Sequence, residues 1–196
     1  MKYSLTGQQA FYFEKNGYIE FEHLLDDNEI KTLFYGIKGA KQDRNLSATN
    51  PAVRKIVFST GLAELASRLA MKKKLRFGFD QVVANPVVAN QYTVASCSCI
   101  APLSLCLLLC VDGEQEPGDA LLEEGIDPFP SKAGNGVFFL PNRAWNTAYL
   151  ERHKNQTFML IAYADEKVQY LYCIEDPYLH DLKRNGLVFG DQLPQN

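Results

Sequence analysis

The chain has 196 residues, the size of one compact domain, and we expect a single domain over residues 1–196. Hydrophobic residues make up 46% of it and charged residues 22%, a balance that excludes an intrinsically disordered chain. The formal net charge is −3, with 20 basic and 23 acidic residues, so a broad positive surface is excluded and we expect no nucleic-acid partner.

The first helix is predicted to begin after residue 6. Thr6 and Gln9 form a capping-box pattern, in which Thr6 accepts an N-terminal amide and the Gln9 side chain reaches back. Gly17 suits the left-handed position that ends a helix. Residues 18–22 then alternate between apolar and polar side chains, which predicts a half-buried strand.

Asp26 begins a second predicted helix, because a cap residue followed by polar and acidic residues is typical of a helix N-terminus. Its apolar positions recur at helical spacing and are Ile30, Leu33, Phe34 and Ile37. Residues 38–49 are polar and predict a loop.

Two more helices are predicted after that loop. Asn50 can cap the first, with Pro51 at the first helical position, where no amide partner is needed. Ser59 and Thr60 can cap the second. Its apolar positions are Leu62, Leu65, Ala66 and Leu69. We expect these helices to brace a sheet.

From residue 75 onward the pattern changes from helices to strands. Strands are predicted at residues 75–84, 103–111, 136–140, 156–164 and 168–174. Residues 112–134 are rich in Gly, Pro and acidic residues, which predicts a long loop. Helices followed by many strands indicate an α+β fold with an antiparallel sandwich or barrel.

Neither the N-terminal residues nor the longest apolar run predicts a membrane-inserted segment. The N-terminal residues become polar before a hydrophobic run develops, so no signal peptide is visible. The longest apolar run, residues 105–111, is too short to span a bilayer. We therefore expect a cytoplasmic protein with no membrane partner.

Five cysteines are present, an odd number, which favours reduced thiols over a disulfide framework. They are Cys97, Cys99, Cys106, Cys110 and Cys173. The spacing of the first four is C-x-C followed by C-x-x-x-C, unlike the paired C-x-x-C of zinc modules. Cys106 and Cys110 are predicted to share one face of a strand as small buried hydrophobic residues.

Several segments, in order, resemble the phytanoyl-CoA dioxygenase-like family of iron(II)/2-oxoglutarate oxygenases. In the N-terminal part they are LT at 5–6, FEKNGYI at 13–19 and LLDDNEI at 24–30. Further along they are NPAVR at 50–54, GLAELA at 61–66, FDQVV at 79–83 and GNGVFFLP at 134–141. The resemblance implies a double-stranded β-helix core (jelly-roll, cupin-like) braced by N-terminal helices.

The resemblance also implies an iron site, built from a His-x-Asp pair and a distal histidine. The histidines of this chain are His23, His153 and His180, and none begins a His-x-Asp or His-x-Glu motif. The family's motif would fall within residues 91–102, which read QYTVASCSCIAP and contain no histidine or carboxylate. We therefore expect no metal and no cofactor.

Trp145 takes the place of the distal histidine when the glycine turn and strand are aligned with the family pattern. Its indole N–H is only a donor and offers no lone pair to a metal. Trp145 either fills the core of the barrel or stacks against a flat ligand. The arginine that would grip 2-oxoglutarate falls near Asn155 or Gln156, which are neutral.

The resemblance, together with the missing iron ligands, predicts a small-molecule cavity inside the barrel and no catalytic residue. Its candidate lining residues are Trp145, Arg143, Arg152, Lys154, Gln81 and Tyr92. If a metal is bound after all, the fallback ligands are His153, Asp80, Cys97 and Cys99.

The first hypothesis is a metal-free relative of the oxygenases that binds a small molecule in the barrel or a protein partner. The alternative is an active iron(II)/2-oxoglutarate-dependent oxygenase, or another metalloenzyme, with a rearranged site. A third reading is a purely structural role, in which a partner binds the acidic loop at residues 114–124 or the C-terminal tail.

Overall fold

The N-terminal helices begin and end where the capping signals predict. The structure, a computed structural model, describes residues 4–83, 93–113, 129–144 and 155–194. Helix α1 (Gly7–Asn16) has the complete Thr6–Gln9 capping box and ends at Gly17, whose φ is 73°. Helix α2 (Asp27–Lys38) is capped by the Asp26 carboxylate.

The predicted loop at residues 38–49 is partly wrong, because it contains a short helix, α3 (Leu46–Thr49). Helix α4 (Pro51–Val57) follows, and the Asn50 side chain accepts two of its amides as predicted. Helix α5 (Thr60–Leu69) is capped by Ser59 and buries the four apolar residues predicted for its inner side.

Five strands among the described residues form one antiparallel sheet in the order β1-β4-β3-β5-β2. They are β1 (Tyr18–Phe21), β2 (Arg76–Val83), β3 (Ile100–Asp112), β4 (Gly136–Phe139) and β5 (Thr157–Tyr170). The two predicted C-terminal strands are one strand, because the N-terminal end of β3 continues the pairing as far as Tyr170. The α+β class is confirmed. Within the described ranges the five strands form one open sheet, so a closed jelly roll is not confirmed.

The central strand β3 is buried on both faces of the sheet, which explains its nearly continuous apolar run. One face, called here the helix face, packs β3 residues Leu105, Leu107 and Leu109 against the N-terminal helices. The other, called here the tail face, carries Cys106, Leu108 and Cys110. Both cysteines are fully buried, as predicted.

The C-terminal tail (residues 171–194) packs on the tail face of its own sheet. Leu179 is buried there, and Leu182, Leu187 and Phe189 contact the same cluster. A short helix, α6 (Asp181–Arg184), lies within the tail. No helix in the described ranges is both long and apolar enough to cross a membrane.

Candidate functional site

Two turns lie side by side: one within the stretch where the resemblance places the His-x-Asp motif, and one that precedes Trp145 in the sequence. Residues 93–97 form one turn, and residues 141–144 form the other, directly after β4. An isolated β-bridge joins Thr93 to Ala144, and a main-chain hydrogen bond of 2.9 Å also joins the two turns. We call this pair of turns the corner. The fold therefore brings part of the stretch predicted for the His-x-Asp motif next to the turn that precedes Trp145 in the sequence.

The side chains of the corner do not suit iron. They are Thr93, Val94, Ala95, Ser96, Cys97, Pro141, Asn142, Arg143 and Ala144. A non-haem iron site needs two imidazoles and a carboxylate, and these turns supply neither. Across the part of the chain that the structure describes, no three His, Cys, Asp or Glu residues cluster closely enough to hold a metal ion.

Arg143 and Gln81, both predicted to line one cavity, are not brought together. The Arg143 guanidinium donates to the Asn16 carbonyl at the end of α1 and lies 4.6 Å from the centre of the Tyr18 ring. It therefore sits beside β1, whereas Gln81 lies on β2 at the opposite edge of the sheet.

The remaining cavity candidates lie outside the described residues. They are Trp145, Tyr92, Arg152 and Lys154, together with the fallback metal ligand His153. Their roles stay predictions.

Asp80, another fallback metal ligand, lies on the helix face and forms hydrogen bonds with the backbone. It is fully buried, and its carboxylate accepts the Leu46 amide at 2.7 Å and the Ser47 amide at 3.2 Å. The Ser47 hydroxyl also donates to it. Burial raises the pKa of Asp80, although these hydrogen bonds oppose the shift. Its oxygens point to the start of α3 and not to the corner.

The surroundings of the thiols at Cys97 and Cys99 disfavour the thiolate form. Burial, followed by the neighbouring Asp176 carboxylate, raises the pKa of Cys99 to about 12. Burial is also the main cause that raises the pKa of Cys97. Metals bind the thiolate, so both positions start from an unfavourable protonation state.

A buried ion pair that the sequence did not reveal lies on the tail face. Arg44 Nη1 and Asp176 Oδ1 are 2.7 Å apart, and their side chains are 4% and 0% exposed. Asp176 also accepts the main-chain amides of Cys99 and Tyr178, at 2.7 and 2.9 Å. The pair thus ties the tail to the segment before α3 and to the start of β3.

The Arg44 guanidinium packs against two aromatic rings, and one of its nitrogens has no partner among the described residues. Its central carbon lies 3.8 Å from the centre of the Phe79 ring and 4.9 Å from that of Tyr178. Nη2 is buried and has no hydrogen-bond partner among the described residues. A β-bridge pairs Arg44 with Gln81, so the two side chains share the tail face. A buried cation with an unused N–H can bind an oxygen of an anionic or carbonyl ligand.

Sequence reasoning missed this network because Arg44 and Asp176 are 132 positions apart and each sits in an unremarkable polar stretch. No local pattern of residue types links them. Only the pairing of residues 43–45 with β2 turns Arg44 towards the tail.

No protein-family model matches the chain, and no curated protein matches it. Membership of the phytanoyl-CoA dioxygenase-like family is therefore not confirmed.

Solved structures share its fold. The epimerase SnoN, described as non-heme and alpha ketoglutarate dependent, superimposes with a TM-score of 0.69 at 17% identity, over 96% of this chain and 95% of its own. The carbocyclase SnoK, which like SnoN comes from nogalamycin biosynthesis, superimposes with a TM-score of 0.68 at 18% identity, over 98% of this chain and 94% of its own. CT296 from Chlamydia trachomatis superimposes with a TM-score of 0.61 at 22% identity, over 84% of this chain and 98% of its own. At these identities the likeness shows the fold of iron/2-oxoglutarate oxygenases, and function must be argued from the site.

Proposed function

We propose that this chain uses the iron/2-oxoglutarate oxygenase fold without its iron, and serves as a binding protein for a small molecule or a protein partner. The observation that carries the proposal is the corner. Its two turns meet, as the bridge from Thr93 to Ala144 requires, yet both lack imidazole and carboxylate groups. A fold can keep its architecture while its site loses the original chemistry.

The ligand side of the proposal rests on Arg44. A buried guanidinium N–H without a partner is costly, and an oxygen atom of a ligand would satisfy it. The adjacent Gln81 amide can donate or accept beside it. We favour a ligand whose carboxylate or carbonyl oxygen reaches Arg44 on the tail face. The roles of Trp145, Tyr92, Arg152 and Lys154 in binding it stay predictions.

The competing function is an active oxygenase, or other metalloenzyme, with a rearranged site that uses His153, Asp80 or the pair Cys97 and Cys99. It would require iron(II) and 2-oxoglutarate as cofactor and co-substrate. The backbone bonds of Asp80 and the protonated thiols weigh against it, because each group would have to give up its present state to bind a metal.

Thermal unfolding with added metal separates the two functions, because a ligand that binds only the native state must raise the melting temperature. We expect Mn(II) or anaerobic Fe(II), with and without 2-oxoglutarate, to leave the transition unchanged. At a ligand concentration of about 100 times Kd, real binding would add roughly 2.7 kcal/mol of stability.

The deciding variant is His153→Ala, with His180→Ala as its matched control at an exposed position of the tail. A rise in melting temperature that needs both metal and 2-oxoglutarate, and that His153→Ala removes while His180→Ala keeps it, would establish the metalloenzyme instead. Native mass spectrometry of the same preparation tests the binding role, since a tightly held small molecule adds mass to the folded chain.

A further inference from the structure

A separate cavity lies on the helix face, on the other side of the sheet from Arg44. It has a volume of about 630 Å³, is partly open to solvent, and is lined by the end of α4, by α5 and by strands β2 and β5. That volume falls within the range of small-molecule sites in proteins. Tyr163 contributes to its lining from β5 and belongs to the helix-face core. The site is therefore distinct from the one proposed above.

One part of the cavity lining is apolar and is formed by Val57, Phe58, Ala63, Leu75 and Phe77. The rings of Phe58 and Phe77 have their centres 4.7 Å apart, and Phe58 is 36% exposed although it is a large aromatic residue. An apolar ligand body would cover this exposed ring and gain from its removal from water.

Lys73 and Lys74 line the same cavity and are exposed. Neither has an ion pair or a side-chain hydrogen bond within the described residues. Two other cations nearby are already engaged: Lys72 pairs with Asp165, and Arg76 donates to the Leu193 carbonyl at 2.8 Å. Lys73 and Lys74 are thus available to an anion, in a chain whose net charge is negative.

Tyr163 borders the cavity and carries a buried polar group that the described residues do not satisfy. The Tyr163 hydroxyl is buried and has no hydrogen-bond partner among the described residues. Burial raises the pKa of Tyr163, so the group stays a neutral hydroxyl. A core built only for packing would favour phenylalanine here, because an unmatched buried hydroxyl costs free energy.

We propose that this cavity binds an amphipathic anion, with its apolar body against Phe58 and Phe77 and its carboxylate or phosphate head group at Lys73 and Lys74. Glu166, which also lines the cavity, opposes the head group by charge repulsion. The chemistry required is an alkyl or aryl chain with a single anionic end. This inference does not depend on the metal-free function proposed above.

Isothermal titration calorimetry with decanoate and decyl phosphate tests the proposal, and the uncharged decanamide serves as the matched control ligand. We expect at least one of the two anions to bind, and decanamide to bind more weakly. Lys73→Gln/Lys74→Gln should weaken binding about fivefold, since each exposed ion pair contributes modestly. Lys31→Gln/Lys41→Gln, which removes the same charge from exposed positions elsewhere, should leave the affinity unchanged.

Two further variants test the location and the sign of the charge effect. Ala63→Phe places a bulky ring at an exposed position of the lining and should abolish binding without lowering the melting temperature. Glu166→Gln should strengthen anion binding by about twofold. Absence of binding by either anion, or binding that survives Ala63→Phe or is indifferent to the two lysines, would overturn the proposal.

Discussion

Asp80 shows how a residue type that suits a metal site can serve the backbone instead. The residue before α3 is Asn45, whose φ of 58° is left-handed and whose side chain makes no cap. Asp80 replaces that cap from a strand, by accepting the amides of Leu46 and Ser47. A carboxylate 34 positions later in the chain therefore does the work of an N-cap.

The raised pKa of Asp80 predicts a specific pH dependence of stability. Because the pKa in the folded state lies above its ordinary value of 3.8, the protonated form is favoured by folding. This stabilising contribution is complete below the ordinary pKa and is lost as the pH rises through the folded pKa. We expect the free energy of unfolding of the wild type, minus that of Asp80→Asn, to fall over this interval. Urea unfolding at a series of pH values measures it, and a difference that stays constant or grows with pH would contradict the account.

At the scale of single residues, the helix N-caps were predictable from the sequence, whereas the long-range hydrogen-bond and ion-pair partners were not. Thr6, Asp26, Asn50 and Ser59 act within three residues of themselves, so their signals survive in the sequence. The bonds of Asp80, like the ion pair of Arg44, join distant segments and follow from the fold alone. The helix caps could therefore be predicted from the sequence, but the contacts of Arg44, Asp176 and Asp80 could not.

At the scale of elements, the boundaries followed from local signals and the exceptions have tertiary causes. Helix α3 was missed because its cap lies on β2. Strand β5 was predicted as two pieces because residues 165–167 are polar, although pairing with both ends of β3 makes it continuous. The order of the strands in the sheet was not predicted, since periodicity does not reveal which strands are neighbours.

The packing of α2 on α4 depends on Gly36. A Cβ atom at this position would lie 2.7 Å from Val53 Cγ2 and 3.1 Å from Asn50 Nδ2. Gly36→Ala should therefore destabilise the protein by about 1–2 kcal/mol, although alanine favours a helix interior. Chemical denaturation measures the change. Adding Val53→Ala should lessen the penalty of Gly36→Ala, because it removes the clashing methyl group.

Gly7 provides the matched control for Gly36. It lies at the start of α1, and a Cβ atom there would meet nothing within 4 Å. Gly7→Ala should be neutral or slightly stabilising. If Gly36→Ala behaved in the same way as Gly7→Ala, the close approach of the two helices would not be a determinant of stability.

At the scale of the whole molecule, the sheet is covered on both faces: the N-terminal helices pack on the helix face and the C-terminal tail packs on the tail face. The Arg44–Asp176 pair, the hydrogen bond from the Tyr170 hydroxyl to the Leu179 carbonyl, and Arg76 at the Leu193 carbonyl all hold the tail in place. The sequence predicted apolar packing by the tail but left open whether it contacts its own domain. In the structure the tail contacts its own domain, because Leu179 is buried against the tail face of the same sheet.

We propose that the corner does not bind iron. The direct test is the iron content of the protein, purified without chelator, incubated anaerobically with Fe(II) and desalted, as measured by inductively coupled plasma mass spectrometry. We predict far less than stoichiometric iron, with no difference between the wild type and His153→Ala. Stoichiometric iron in the wild type that His153→Ala removes would contradict the account.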